Sequence, residues 1–483
     1  MPLRAALCIA LLAGLAACGG GGNGGGGFGL LPPPSSSEPP APPSPPAPSP
    51  SPVTSLDAPA HVVANTLYSY TASVADGVAG AWRWVWGDGT PDGTGNPATH
   101  VWRRPGSFEL AVHATVGDAT GSASLATTVV NEPMSAGSEH ACALAPGGTV
   151  LCWGDNSYRQ LGDGTNSGRS TPAPVSGLTG VAGLANGSMH SCALKSDGSV
   201  ACWGHNDDGQ LGDGTTEQRL TPVTVAGLDG VVALSAGLGH SCALKSDGGV
   251  VCWGYNAQGQ LGDGSGTRQL APVAVQGLSS VTALASGRHH NCVLKTDGSA
   301  ACWGYNGYGQ LGDGSFDNGA TPVTVTGLNG AAALSLGEQH SCALKTDGTA
   351  ACWGDNDYGQ LGDGTDATRP VQAAVTGLTG ATALAVGWGH GCALKADRSL
   401  ACWGGNANGQ LGDGSNDDRF TPVAVTGAGD VIALSAGDAH TCALKADGSA
   451  ICWGDNSYGQ LGNDTGNNSR TPFPVTGGAV FWR

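Results

Sequence analysis

One 50-residue unit repeats seven times between Gly137 and about Val475, and no other feature constrains the fold of this 483-residue chain as strongly. In its clearest form the unit reads G-x-x-H-x-C-A-L-K-x-D-G-x-x-x-C-W-G-x-N-x-x-G-Q-L-G-D-G, then a variable stretch, then T-P-V-x-V-x-G-L-x-G-x-x-A-L-x-x. A fixed period of this length is typical of solenoids and propellers, in which each unit buries its faces against its neighbours. Seven units are enough to close a ring.

The second unit illustrates how one repeat is expected to fold. Residues 181–185, 190–195, 199–203 and 222–225 form four short apolar or alternating segments separated by turn residues, which predicts a four-stranded blade. The turn 196–198 places Gly198 where a left-handed residue is needed. Pro222 cannot donate to a strand ladder, so the fourth strand is expected at the outer edge. Two units depart from the pattern: Gln372 replaces this proline, and Arg398 replaces the turn glycine at a position expected to be strained.

The motif H-x-C-A-L-K-x-D-G followed by C-W-G-x-N-x-x-G-Q-L-G resembles the regulator of chromosome condensation repeat family. That resemblance implies an all-β, seven-bladed β-propeller over residues 132–483. The founder of the family is a nucleotide exchange factor for a small GTPase and binds chromatin, whereas secreted bacterial relatives include a propeller that inhibits β-lactamases. The chain has no long insertion that could act on a GTPase, so the resemblance favours protein binding outside cells over nucleotide exchange.

The N-terminus has the pattern of an export signal. Arg4 precedes an apolar run, 5–17, that is too short to span a bilayer. The run ends in Leu15-Ala16-Ala17-Cys18, which resembles the lipobox of bacterial lipoproteins. This resemblance implies that residues 1–17 are a signal peptide and that Cys18 carries lipid; a signal with a plain small-residue cleavage site is the alternative. Residue 19 is glycine, not the aspartate that often retains lipoproteins at the inner membrane, so an outer-membrane or cell-surface location is favoured.

Two further segments precede the repeats. Residues 18–53 are rich in Gly, Pro and Ser and nearly free of apolar residues, so we expect a disordered stalk. Residues 54–131 contain alternating apolar positions typical of half-buried strands. The series W-x-W-G-D-G-T, His100-Val101-Trp102 and Pro105-Gly106-Ser107-Phe108 resembles the polycystic kidney disease (PKD) domain, which implies an immunoglobulin-like β-sandwich that serves as a spacer. Asp88 in this series is explained by an Asp-Gly turn more simply than by a cation site.

Fourteen cysteines form seven couples, each ten residues apart. In the hairpin of the second unit, Cys192 faces Cys202 at a non-hydrogen-bonded site, where side chains approach most closely. Because export permits oxidation, we predict seven cross-strand disulfides; buried free thiols are the alternative. The spacing does not suit zinc. The couples are Cys142 with Cys152, Cys192 with Cys202, Cys242 with Cys252, Cys292 with Cys302, Cys342 with Cys352, Cys392 with Cys402, and Cys442 with Cys452.

Residues that recur in every unit are interpreted as structural. Seven histidines, His140 to His440, suggest a metal or catalytic site, but we expect each to fix its own turn through a backbone hydrogen bond. The Trp of C-W-G and the Asn of G-x-N are interpreted in the same way. Catalysis and recognition need an asymmetric site, so function is expected where the units differ.

Two places vary: the residue pair before each His and the loop after C-W-G. Strand parity puts both on one rim, here called the variable rim. The opposite rim is monotonous and carries all six lysines, Lys195 to Lys445, beside the Asp-Gly turns; it is called the lysine rim. Exposed Trp, Tyr and Arg are the residues that binding hot spots favour, although loops also vary freely without function. The predicted binding residues are Met189, Tyr255, Arg288, His289, Tyr305, Glu338, Tyr358 and Trp388.

The sequence therefore predicts a lipid-anchored protein of the cell envelope whose propeller binds an extracellular protein or glycan. The formal charge of −17 argues against nucleic-acid binding. No nucleophile–base set or acid cluster is confined to one unit, so we expect neither enzymatic activity nor a cofactor or metal. We also expect a monomer that contacts the membrane only through its lipid. An inhibitor of a secreted or envelope enzyme is the alternative, and an enzyme at the propeller mouth or an exchange factor fits less well.

Overall fold

A computed structural model describes residues 53–58, 61–64, 66–74, 80–102, 106–130, 133–476 and 481. All of them belong to one compact unit, Ser51–Arg483. These ranges consist of strands and turns without a helix, and therefore hold no helical segment suited to crossing a bilayer. The predicted signal peptide, Cys18 and the predicted stalk up to residue 52 lie outside the described residues.

The first eight strands form two sheets that share one core. They are β1 (Val53–Asp57), β2 (His61–Val63), β3 (Leu67–Val74), β4 (Ala81–Val85), β5 (Gly93–Thr94), β6 (Ala98–Val101), β7 (Gly106–Val116) and β8 (Ala119–Val130). The order is β1-β3-β6 in one sheet and β2-β8-β7-β4-β5 in the other. Tyr70 and Trp102 pack in the core with Trp84 and Trp86, and the Trp102 indole donates to the Tyr70 hydroxyl at 2.6 Å. We call this part the small domain.

Seven four-stranded sheets follow, one per repeat, each built from consecutive strands. The first strands are β9 (Met134–Ala136), β13 (Val181–Asn186), β17 (Val231–Ala236), β21 (Val281–Ser286), β25 (Ala331–Leu336), β29 (Ala381–Val386) and β33 (Val431–Ala436). The second strands are β10 (His140–Ala145), β14 (His190–Lys195), β18 (His240–Lys245), β22 (His290–Lys295), β26 (His340–Lys345), β30 (His390–Lys395) and β34 (His440–Lys445). The third strands are β11 (Thr149–Gly154), β15 (Val200–Gly204), β19 (Val250–Gly254), β23 (Ala300–Gly304), β27 (Ala350–Gly354), β31 (Leu400–Gly404) and β35 (Ala450–Gly454). The fourth strands are β12 (Arg169–Pro174), β16 (Arg219–Thr224), β20 (Gln269–Ala274), β24 (Gly319–Thr324), β28 (Arg369–Ala374), β32 (Arg419–Ala424) and β36 (Ser469–Pro474).

The central hairpin of each blade has the predicted register. In the second blade Leu194 faces Val200 and Cys192 faces Cys202, and Gly198 adopts a φ of 80° in the turn. The turn geometry and the strand alternation that fixed this pairing in the sequence therefore also fix it in the fold.

All seven cysteine couples are disulfide bonds, with Cα atoms 4.0 or 4.1 Å apart. The structure therefore supports the predicted pairing of all fourteen cysteines. Each bond joins the two central strands of its own blade. The bonds are Cys142 to Cys152, Cys192 to Cys202, Cys242 to Cys252, Cys292 to Cys302, Cys342 to Cys352, Cys392 to Cys402, and Cys442 to Cys452.

One departure from the repeat, Arg398, and one regular position, Pro222, behave as expected. Arg398 keeps the left-handed turn conformation, with a φ of 63°, which strains a residue that carries a Cβ. Pro222 lies in β16, the outer strand of its sheet, where a missing amide donor breaks no ladder.

Adjacent blades are joined by a tryptophan from each C-W-G motif. The buried Trp203 indole donates to the Gln160 carbonyl of the preceding blade at 2.8 Å, and the other blades repeat this bond. Trp153 in the first blade donates to the Gln460 carbonyl of the last blade at 2.9 Å, so the series closes on itself as a β-propeller. Phe481 packs on Trp153 at this seam, with ring centroids 5.9 Å apart.

The small domain packs against the lysine-rim end of the propeller. Leu67 at the start of β3 shares a buried cluster with Ala333 and Ala381 on the first strands of two blades. Val63 shares another with Met134 and Ala433. The Tyr68 phenol lies close enough to Arg398 for the guanidinium charge to act on its pKa. The turn that departs from the repeat is thus located where the small domain meets the ring.

Candidate binding site at the variable rim

The first strands of all seven blades surround an axial cavity of ≈ 230 Å³, here called the channel. Its wall has a level of leucines, formed by Leu234, Leu284, Leu334, Leu384 and Leu434. Val63, Ala64 and Thr66 of the small domain line the channel as well, and form its floor on the lysine-rim side. The mouth therefore faces the variable rim.

In six of the seven blades, the first residue of the pair that precedes the histidine lines the channel mouth. Arg288 donates to Glu338 across two adjacent blades, with Nη1 and Oε1 2.8 Å apart. Trp388 is the large aromatic of this ring and is 42% exposed. The lining residues of this level are Ser138, Ser188, Arg288, Glu338, Trp388 and Asp438.

The loops after C-W-G form a second tier around the mouth. Tyr358 of the fifth blade contacts Trp388 of the sixth, with ring centroids 5.6 Å apart. The ring centroids of Tyr305 and His289 are 6.4 Å apart, and Tyr255 lies next to Gly239. The two variable segments thus meet on one rim, as strand parity predicted.

The structure divides the eight predicted binding residues between these two tiers. Arg288, Glu338 and Trp388 line the channel itself. The remaining five lie outside the channel lining, and of these Tyr358 is exposed and the others are half-buried: Met189, Tyr255, His289, Tyr305 and Tyr358.

Carboxylates at the mouth were not among the predicted site residues, apart from Glu338. Burial raises the pKa of Asp438. Burial also raises the pKa of Glu139, helped by the negative charges of Asp155, Asp438 and Asp455. Burial raises the pKa of Glu338 more than the Arg288 bridge lowers it. Glu139 and Asp438 belong to the variable pairs before the histidines, but the prediction selected mainly aromatic and cationic residues there.

Comparison with known proteins identifies the family. A family profile described as the RCC1-like domain matches residues 82–430, and two profiles of the regulator of chromosome condensation (RCC1) repeat match residues 431–460 and 447–480. The chain belongs to the RCC1-like domain family. The predicted resemblance of the repeats is thereby confirmed, and the propeller is an RCC1-like propeller.

Solved structures give the same fold. Yeast RCC1 (Prp20), in a crystal structure with Kap60, matches with a TM-score of 0.63 and 24% identity over 69% of this chain and 85% of that chain. Human WBSCR16 matches with a TM-score of 0.62 and 24% identity over 68% of this chain and 94% of that chain. At these identities the likeness concerns the fold. No curated protein sequence matches the chain.

The histidines of the RCC1-like propeller are structural, but the predicted backbone bond within each turn is wrong. In five blades Nε2 meets a side chain of the next blade, as in His140 with the Ser191 hydroxyl at 2.9 Å. Nδ1 has no hydrogen-bond partner in any of the seven, and His340 and His440 also lack one at Nε2. Burial lowers the pKa of all seven histidines, to about 3 or about 4. All seven therefore remain neutral, and five of them link adjacent blades.

The repeated asparagines hold the long loop between the third and fourth strands. Asn206 Nδ2 donates to the carbonyls of Thr215 and Glu217 at 3.1 and 3.0 Å, and its Oδ1 accepts from the Leu211 amide at 3.0 Å. The structural interpretation of these residues is therefore supported.

In the part of the chain that the structure describes, no group of three or more His, Cys, Asp or Glu residues is arranged to hold a metal ion.

Proposed function

We propose that this protein is a cell-envelope lipoprotein whose RCC1-like propeller binds an extracellular or periplasmic macromolecule, a protein or a glycan, through the variable rim. In this proposal the seven sheets are the blades of a seven-bladed β-propeller. The small domain is an immunoglobulin-like, PKD-type spacer between the ring and a stalk that ends in a lipidated Cys18.

One observation carries the binding proposal. The positions that differ most between repeats meet around the channel mouth, while the small domain occupies the other end of the channel. A ligand of the channel would therefore enter from the variable rim. Trp388 and Tyr358 are large aromatic residues exposed at that mouth, and aromatic anchors near the centre of an interface commonly dominate binding energy.

The structural relatives add support for a protein ligand. Yeast RCC1 (Prp20) is seen bound to Kap60, and the same protein is described with binding properties to Gsp1p and histones. Kap60, Gsp1p and histones are all proteins. The disulfides of this chain favour an oxidising compartment over the interior of a cell, which is why we place its partner outside the cytoplasm.

The rim proposal is tested by a crosslinking pull-down with the full chain. Trp388→Ala, alone or with Arg288→Ala, should weaken partner binding by about 2 kcal/mol or more, because a central anchor is lost. Thermal stability should change little, since Trp388 is 42% exposed. Lys295→Ala and Lys345→Ala on the lysine rim are the matched controls. Normal binding by Trp388→Ala together with loss of binding in the lysine variants would reverse the assignment of the rim.

The envelope proposal has its own test. Cys18→Ser should move the protein from the membrane fraction to the soluble fraction, because the thiol that carries the lipid is absent. The wild-type chain, fractionated in parallel, is the control. A processed Cys18→Ser chain that stays in the membrane fraction would exclude the lipobox interpretation.

A further inference from the structure

Acidic side chains dominate the charge around the channel mouth. The positions considered are the pair before each His and the residue directly after each C-W-G. Together they carry six carboxylates and one guanidinium, that of Arg288. The carboxylates belong to Glu139, Asp155, Glu338, Asp355, Asp438 and Asp455.

These carboxylates act on one another both within a blade and between blades. Glu139 feels the negative charges of Asp155, Asp438 and Asp455, and Glu338 feels those of Asp438 and Asp355. Burial contributes further, and it is the main reason that the pKa values of Glu139, Glu338, Asp355 and Asp438 are raised. A cation at the mouth would relieve both the repulsion and the desolvation cost.

An independent feature just below the mouth also calls for a hydrogen-bond donor. Asn186 lines the channel and is 8% exposed, and its Oδ1 has no hydrogen-bond partner. Its Nδ2 is already used, donating to the Ser135 carbonyl at 2.8 Å. The other blades carry Ala, Ser, Leu or Val at this position, so Asn186 is a departure from the repeat that supplies a buried acceptor.

Other buried polar atoms near the mouth also lack hydrogen-bond partners, and most of them can accept a hydrogen bond. Glu338 Oε2 and Ser286 Oγ have no partner, and Arg288 Nε is an unpaired donor beside them. A buried acceptor left unpaired costs about 1–3 kcal/mol, and an N–H group of a ligand that reached one of these atoms would recover that cost.

The size of the channel limits what can enter it. A cavity of ≈ 230 Å³ exceeds the roughly 150 Å³ that takes up benzene in an engineered protein, so it suits one side chain but no folded element. The ring of leucines below Asn186 has no polar group that could pair with a charge. A cationic group would therefore stay higher in the channel, beside the carboxylates. Trp388 and Tyr358 lie at the same end of the channel, and the face of an aromatic ring attracts a cation.

We propose that the channel mouth binds a cationic side chain, a lysine ammonium or an arginine guanidinium, presented by a basic segment of a partner protein. This inference rests on the proposed function and specifies the chemistry of its ligand. The crowded carboxylates and the unpaired acceptors favour such a ligand over a neutral glycan, whose hydroxyl groups would leave the repulsion between carboxylates in place.

The test measures fluorescence anisotropy of a fluorescein-labelled hexa-arginine peptide with the full chain. Its isosteric hexa-citrulline counterpart lacks the charge and is the control for shape. The test variant combines Glu139→Gln, Glu338→Gln and Asp438→Asn. The matched control combines Asp247→Asn, Asp297→Asn and Asp347→Asn on the lysine rim, which changes the net charge equally and keeps the Oδ1 acceptor of each turn.

We expect the mouth variant to weaken hexa-arginine binding at least about tenfold and the lysine-rim variant less than about twofold, because removing one partner of a desolvated charge pair is costly. Tight binding of hexa-citrulline, or equal weakening in both variants, would overturn the proposal. The rim function stands and this inference fails if Trp388→Ala abolishes capture of the partner but the mouth variant does not. The same holds if the captured partner is a glycan. If neither change affects capture, both fail.

Discussion

The histidine bonds between blades lead to a stability prediction at the ring seam. In four blades the His Nε2 meets a Ser or Thr hydroxyl one residue after the next histidine. His440 should meet residue 141 in this way, but that residue is alanine, and both ring nitrogens of His440 are buried without a partner. Ala141→Ser should restore the missing bond.

The magnitude follows from the neighbouring blades. Ser191 bridges the His140 ring, at 2.9 Å, and the Gln160 carbonyl, at 3.0 Å. The Gln460 carbonyl occupies the equivalent position at the seam. A serine at 141 could therefore donate its hydroxyl to that carbonyl, as Ser191 does to Gln160. One buried bond gained should raise the free energy of unfolding by about 1 kcal/mol. Gly391, opposite the other unpaired histidine, is unsuitable because a Cβ there would lie 2.8 Å from the Trp403 ring.

The assay is urea unfolding of Ala141→Ser beside the reverse change, Ser341→Ala. The second substitution removes the partner of His290 and should lower the free energy of unfolding by about 1–3 kcal/mol, because a buried polar nitrogen is left unpaired. If Ala141→Ser is neutral or destabilising while Ser341→Ala is destabilising, the seam geometry differs from that of the other interfaces. If Ser341→Ala is also neutral, these bonds contribute nothing and the reasoning is refuted.

Two further predictions concern the whole ring. Thiol titration of the denatured, unreduced mature protein should find almost no free thiol among the fourteen repeat cysteines, because all seven couples are bonded; about fourteen free thiols would contradict the pairing. Stability should be greatest above pH 6.5 and fall as the pH drops, since histidines with a pKa of about 3 or 4 in the fold regain about 6.5 on unfolding, at about 1.4 kcal/mol per pH unit each. Carboxylates whose pKa is raised by burial, such as Glu338, act in the opposite direction as the pH falls, but they are outnumbered by the seven histidines. The measurement is the urea midpoint at pH 5 against pH 7, and a midpoint that does not fall at pH 5 would refute buried neutral histidines.

The blade could be predicted from the sequence because its information is local and repeated seven times. The Asp-Gly turn sets the hairpin register, the register brings Cys192 opposite Cys202, and the proline marks the outer strand. Each inference concerns residues close in the chain, where turn geometry and strand alternation decide the outcome.

The channel floor and the histidine partners could not be predicted in this way. Val63 and Thr66 lie outside the repeat, and no pattern links them to an axis formed by seven distant strands. The bond from His140 to Ser191 joins different blades, so an interpretation confined to one repeat assigned the histidine to its own turn. Asn186 was detectable as an unusual residue at a repeated position, but only the channel shows that its acceptor is buried and unused.

The placement of the lysines within the disulfide-closed hairpins has a consequence for proteolysis. All six lysines of the chain, Lys195 to Lys445, lie between the two bonded cysteines of their blades. A lysine-specific endoprotease that cuts these exposed turns would nick the chain, yet each cut would leave its two ends tethered by a disulfide. The propeller would keep its mass on a non-reducing gel and separate into fragments only when a reductant is added. The ring would thus tolerate cleavage on the lysine rim, opposite the proposed binding site.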